Sequence, residues 1–103
     1  MVYISYDQKD EPVVQKICQS LTMMGTKMFM NQEQVVGGDY AQELTKRIES
    51  AEAVIFFYSE NAENSTWVKR EVEYALSQKK RVIPVLLTEV ADSGWYKYHL
   101  GKT

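Results

Sequence analysis

The sequence predicts an α/β fold, a parallel sheet held between two layers of helices. Short apolar runs alternate with stretches of helical spacing from the start of the chain to about residue 87. The run AVIFFY at 53–58 is apolar throughout, as a strand buried on both faces must be. The resulting order of strand, helix, strand, helix, strand, helix, strand requires right-handed crossovers and so a parallel sheet.

Each element has a local reason. Val2–Ser5 is a short β-prone run that ends in the polar SYDQKD. Val13, Val14, Ile17, Leu21 and Met24 follow helical spacing, and Gly25 supplies a C-terminal stop. Lys27–Met30 is a second strand, followed by the loop NQEQVVGGD. Tyr40, Leu44 and Ile48 recur every four residues, which predicts a helix with Asp39 as N-cap. After the strand 53–58 comes a polar loop, SENAENST, then a helix over 66–80 and a fourth buried strand, Val82–Leu87. Pro84 lacks a ladder donor, which argues against a central position there. The group Met23, Met24, Met28 and Met30 reads as core filling, and Lys79–Arg81 as a solvated helix end. The expected order is flavodoxin-like, 2-1-3-4, in a three-layer α/β/α sandwich. Residues 88–103 are aromatic-rich without a strong period, so the fifth strand and last helix of such a fold are expected to be absent or incomplete.

Composition narrows the function classes. The chain has 103 residues, 45% hydrophobic and 25% charged, which fits one soluble domain over 1–103. A formal net charge of −2 gives no electrostatic case for nucleic acid or an anionic membrane. The single cysteine, Cys18, lies in a helical pattern and reads as a small buried residue. The N-terminus has no basic region followed by an apolar run, and no apolar run is long enough to cross a bilayer. A cytoplasmic location is expected.

In a doubly wound sheet, ligands bind outside the carboxyl ends of the strands where the winding reverses. Three polar loops fall there: Tyr6–Asp10, Asn31–Asp39 and Ser59–Ser65. The helix leaving the third loop contains one oddity. Val68, Val72, Ala75 and Leu76 form its apolar stripe, with Glu73 and Arg70 on the far side. Glu71 falls at the stripe's edge, between Trp67 four residues before and Tyr74 three after. Other chemistries of this architecture fit poorly. The third strand ends in Ser59, not the aspartate of a phosphoacceptor domain, and SYDQKD is a poor phosphate cradle for a flavin. The chain has neither GxGxxG nor GxxxxGK[ST]. His99 is the only histidine, which leaves neither a metal site nor a nucleophilic triad.

A lone carboxylate beside aromatics suffices for one reaction. Cleaving the nicotinamide–ribose bond of NAD+ turns a cationic pyridinium into a neutral leaving group that needs no proton. The second carboxylate of an ordinary glycosidase is then dispensable. The remaining work is to hold the ribose and stabilise an oxocarbenium-like transition state.

VYISYD at 2–7, Gly38–Asp39, Tyr58–Ser59, WVKRE at 67–71 and VIPVLL together resemble a TIR domain (Toll/interleukin-1 receptor domain) of the bacterial type, from residue 2 to about 100. The resemblance implies the flavodoxin-like fold and an NAD+ glycohydrolase or ADP-ribosyl cyclase, activated by self-association in immune or antiphage signalling. It implies Glu71 as the catalytic residue, with NAD+ as substrate and no separate cofactor or metal. Ser5, Tyr6, Asn31, Gly38, Tyr40, Ser59 and Trp67 then line the substrate site, Gly38 and Tyr40 in a gating loop. Other TIR domains are the implied partners, with a fused or separate sensor domain. Two departures stand out. Asn31 replaces the aspartate that many relatives carry, and Asp7 and Gln8 stand where some active members have arginine. The alternative function is a non-catalytic TIR adaptor. A rim carboxylate should also tolerate alanine, with the melting temperature changed by only a few degrees.

Overall fold

The computed structural model describes residues 1–30 and 40–87. Four parallel strands, β1 (Val2–Ser5), β2 (Met28–Met30), β3 (Ala53–Tyr58) and β4 (Arg81–Leu86), form one sheet in the order β2-β1-β3-β4. β1 is flanked by Val2↔Met28 on one side and Val2↔Ala53 on the other. This is the expected 2-1-3-4 order, with the winding reversing at β1.

Alternation along the strands sorts the core into two layers. Tyr3, Val54, Phe56, Tyr58 and Val82 face one side, where Ile48, Val68, Val72 and Ala75 cover them. These covering residues belong to α2 (Tyr40–Ser50) and α4 (Thr66–Ser77). Ile4, Tyr6 and Phe57 face the other side, under Val14 and Cys18 of α1 (Glu11–Met23). Burial pushes the Cys18 thiol up from its ordinary range, in keeping with a packing role. At the edge of the first layer the Arg47 guanidinium lies 3.6 Å over the Phe29 ring, tying α2 to β2.

Helix ends follow capping chemistry. α1 opens with Pro12 in its first turn, and Gly25 beyond its end adopts φ +92°. Ser65 accepts from the Val68 amide at 3.2 Å to cap α4. Within SENAENST, Glu60–Glu63 forms one further turn, α3, capped by Ser59. It went unforeseen because a single turn has no room for an apolar period.

The remaining differences have similarly local causes. α4 stops at Ser77, short of residue 80. The Lys79 amide bonds Leu76 O and the Lys80 amide bonds Ala75 O, each at 3.0 Å, so a Schellman motif closes the helix. Lys79 occupies the left-handed position at φ +58°, and Arg81 already belongs to β4. Lys80 Nζ donates to the Glu49 carbonyl at 2.7 Å. Met23 and Met24 are 88% and 80% exposed, not core filling, because the inward face of α1 ends before them. Met28 does pack against the α1-side core. β4 is only partly buried, with Ile83 and Leu86 exposed. Among the described residues β4 pairs with β3 alone, which suits Pro84. The expectations for the Asp39 cap and for residues 88–103 lie outside the described residues.

A non-glycine residue in the left-handed region costs about 1 kcal/mol. Lys79→Gly should therefore raise the melting temperature by ~4–8 °C in a thermal scan.

Candidate functional site

The buried face of α4 consists of Val68, Glu71, Val72 and Ala75. Their spacing of three, one and three residues is that of a helix's innermost stripe. Glu71 is therefore not at the margin of the core but within it, and Leu76, expected in the stripe, is the half-buried residue. Glu71 has 0% exposure.

A carboxylate in that position must be hydrogen-bonded, and β1 supplies the donors. Tyr3 and Ser5 are two residues apart on one strand, so both side chains face α4. The Tyr3 hydroxyl donates to Glu71 Oε2. Ser5 Oγ donates to Oε1 at 2.7 Å. Tyr3 and Ser5 are themselves 0% exposed. Glu71, Tyr3 and Ser5 thus form one buried polar unit inside the aromatic layer of Phe56 and Tyr58, whose ring centroids are 5.5 Å apart. Tyr3 was missed in the sequence. The signal was there: hydroxyl residues at positions 3 and 5 share a strand face with the helix that carries the odd glutamate.

The flanking aromatics are placed differently from the expectation. Trp67 lies one turn before Glu71 and is half-buried. The phenol beside the carboxylate is Tyr3 rather than Tyr74. The Tyr74 hydroxyl donates to Glu49 on α2, and that bond, together with burial and the Glu49 charge, raises its pKa above the ordinary tyrosine value. Tyr6 is buried on the opposite side of the sheet with Val14 and Phe57, and its hydroxyl bonds Glu11 at 3.3 Å. Its ring does not share a layer with Glu71.

Ser59 is 2% exposed and its hydroxyl is committed twice. It accepts from the Ala62 amide at 3.1 Å and donates to Asp10. Asn61 Nδ2 reaches the other oxygen of Asp10 at 2.8 Å. Next to this group the Tyr58 hydroxyl bonds Glu63. Asn31 and Gly38 lie outside the described residues, and Tyr40 opens α2 with its side chain outside the description. Among the described residues no group of His, Cys, Asp and Glu is arranged to hold a metal ion, and no helix is long and apolar enough to cross a membrane.

The TIR domain family matches the sequence over residues 2–100. The chain belongs to the TIR domain family. Relatives of this TIR domain include TIR2 of Cytobacillus dafuensis, by its name a proposed cyclic ADP-D-ribose synthase. The two are 24% identical over 99 residues, 88% of this chain, and the chain spans only 26% of that relative's length. Among solved structures it is similar to the TIR domain of the Toll-related receptor TRR-2 from Hydra magnipapillata, with TM-score 0.81, 22% identity, and coverage of 96% of this chain and 78% of the other. The TIR domains of the activated Roq1 resistosome, which recognises the effector XopQ, give TM-score 0.76 and 23% identity, with coverage of 98% and 68%. A TIR-STING receptor from C. gigas gives TM-score 0.71 and 23% identity, with coverage of 86% and 31%. At these identities the structural likenesses establish the fold of this TIR domain.

The burial of Glu71 changes what alanine should do there. Glu71→Ala leaves two buried hydroxyls without their acceptor and opens a void, a loss of about 2–4 kcal/mol. Its melting temperature should drop by at least ~10 °C in calorimetry, whereas Glu71→Gln, which keeps the volume and one acceptor oxygen, should lose less than half as much.

Proposed function

We propose that this TIR domain is an NAD+ glycohydrolase, with Glu71 as its catalytic residue. The observation that carries the reading is a fully buried carboxylate fixed by Tyr3 and Ser5 against the carboxyl end of β1, where the sheet's winding reverses. Ligands of open α/β sheets bind at that place. The cyclic ADP-D-ribose chemistry in the name of the Cytobacillus dafuensis relative supports the same substrate.

In this reading the bond between nicotinamide N1 and ribose C1′ breaks, and its electron pair goes to the nicotinamide ring. Glu71 accepts hydrogen bonds from the ribose hydroxyls and stabilises the cationic sugar. Water then attacks C1′ and loses a proton, giving ADP-ribose; attack by the adenine ring gives the cyclic product instead. Tyr3 and Ser5 hold the carboxylate in one orientation, so no reorganisation is needed when charge develops. Trp67, half-buried one turn before Glu71, is the aromatic this reading assigns to the substrate. Asn31, Gly38 and Tyr40 are assigned to substrate binding in this reading by the family resemblance alone, and Tyr6 and Ser59 shape the loops rather than offering free hydroxyls. NAD+ is substrate, and the reading needs no further cofactor.

Glu71 has no contact with solvent in this arrangement, so the ribose reaches it only after the surrounding loops rearrange. Self-association with other TIR domains, coupled to a sensor domain in the cytoplasm in an immune or antiphage response, would supply that rearrangement. The complete burial also favours a second reading. Glu71 would then be a purely structural core carboxylate in a non-catalytic TIR adaptor.

Chromatography of NAD+ incubated with the protein separates the two. Wild type should consume NAD+ at a rate that rises more steeply than its concentration. Folded Glu71→Gln should lose that activity by at least ~100-fold. No NAD+ loss by concentrated wild type, or full activity in Glu71→Gln, contradicts the enzymatic reading.

A further inference from the structure

Asp10 is a carboxylate with 8% exposure immediately before α1. That is the N-cap position, where an aspartate ordinarily accepts from its own helix's amides. Asp10 makes no such bond. Both of its oxygens are instead given to a loop 49–51 positions away: Oδ2 accepts from Ser59 Oγ, and Oδ1 accepts from Asn61 Nδ2 at 2.8 Å. Ser59 in turn caps α3 through the Ala62 amide, so the bond reaches into the backbone of that turn. On its own side Asp10 is anchored by its amide to Asp7 O at 2.8 Å. The two loops leave neighbouring strands, β1 and β3, at the same edge of the sheet. Ser5, which holds Glu71, is the last residue of the first of those strands.

We infer that Asp10, with Asn61, is a positioning residue for substrate binding: it fixes the spacing of the two loops that flank the carboxyl ends of β1 and β3. The inference rests on the NAD+ glycohydrolase reading. The hydrogen bonds of Asp10 and Asn61 run to one another and to Ser59 rather than to Glu71, so the clamp acts on how well the dinucleotide is received rather than on cleavage once bound. Loss of a side-chain cap on α1 cannot account for an effect, since Asp10 makes no such bond.

Pair replacement tests it, because the clamp's polarity can be reversed. Asn61→Asp sets two carboxylates face to face, whereas in Asp10→Asn either side-chain amide can turn its oxygen to the other and keep a bond. With both changes together, Asn at 10 donates to Asp at 61 and still accepts from Ser59. Asn61→Asp should raise KM for NAD+ about tenfold with kcat changed by less than about threefold, and adding Asp10→Asn to it should return KM to within about threefold of wild type. Val82→Ala, a core change in β4 with comparable loss of thermal stability, should leave KM where it was. Unchanged KM in folded Asn61→Asp, or a double variant as impaired as Asn61→Asp alone, overturns the positioning role while leaving the enzymatic reading intact. Wild type without any turnover overturns both.

Discussion

A carboxylate placed in a protein core must find donors there, and the structure answers that requirement at Glu71. The demand is severe, since an unpaired buried charge costs several kcal/mol. It is met by two hydroxyls on one face of one strand, Tyr3 and Ser5. This fixes more than an ion. α4 cannot slide or rotate against β1 without breaking both bonds, so the register of the helix on the sheet and the orientation of the carboxylate are set together. The apolar neighbours on α4, Val68, Val72 and Ala75, would pack acceptably over a range of small shifts; the hydrogen bonds would not.

The same device recurs at the carboxyl edge of the sheet. Asp10 binds Ser59 and Asn61, Glu63 binds Tyr58, and Glu11 binds Tyr6. Acidic groups there are turned onto hydroxyls and an amide of neighbouring segments. The loops are thereby tied to each other and to the strand ends, which is what a preorganised site needs from its surroundings. A catalytic TIR domain and a purely adaptor one place different demands on this architecture. An adaptor gains only stability from a buried glutamate, and a hydrophobic residue of similar volume commonly serves as well. A glycohydrolase needs that carboxylate as such.

Much of the fold was legible because the strands and helices differ in period. β3 announced itself as a continuous apolar run, and the alternation of segments dictated the parallel order. α3 was hidden because four residues carry no period. The end of α4 was misjudged because Lys79 occupies a position where glycine normally signals the stop. Met23 and Met24 looked like core by residue type, but the chain leaves the sheet before reaching them. For the site, Glu71 was found by its place on the helical wheel, yet its burial was underestimated. The apolar stripe was drawn to include Leu76 and leave out Glu71, although Val68, Glu71, Val72 and Ala75 form the tighter set. Tyr3 escaped notice because a tyrosine in a strand is ordinary, and only the pairing of two strand hydroxyls with one helical carboxylate reveals its part. Asp10 escaped because it looks like a helix cap.

The account depends on Tyr3 and Glu71 acting as a unit, and a double-mutant cycle measures that directly. Urea unfolding of wild type, Tyr3→Phe, Glu71→Met and the double variant should give a coupling energy of at least ~1 kcal/mol, the double variant being more stable than the two single losses predict. Additive losses, with coupling indistinguishable from zero, would mean that the phenol and the carboxylate do not hold each other and that the site as described does not exist.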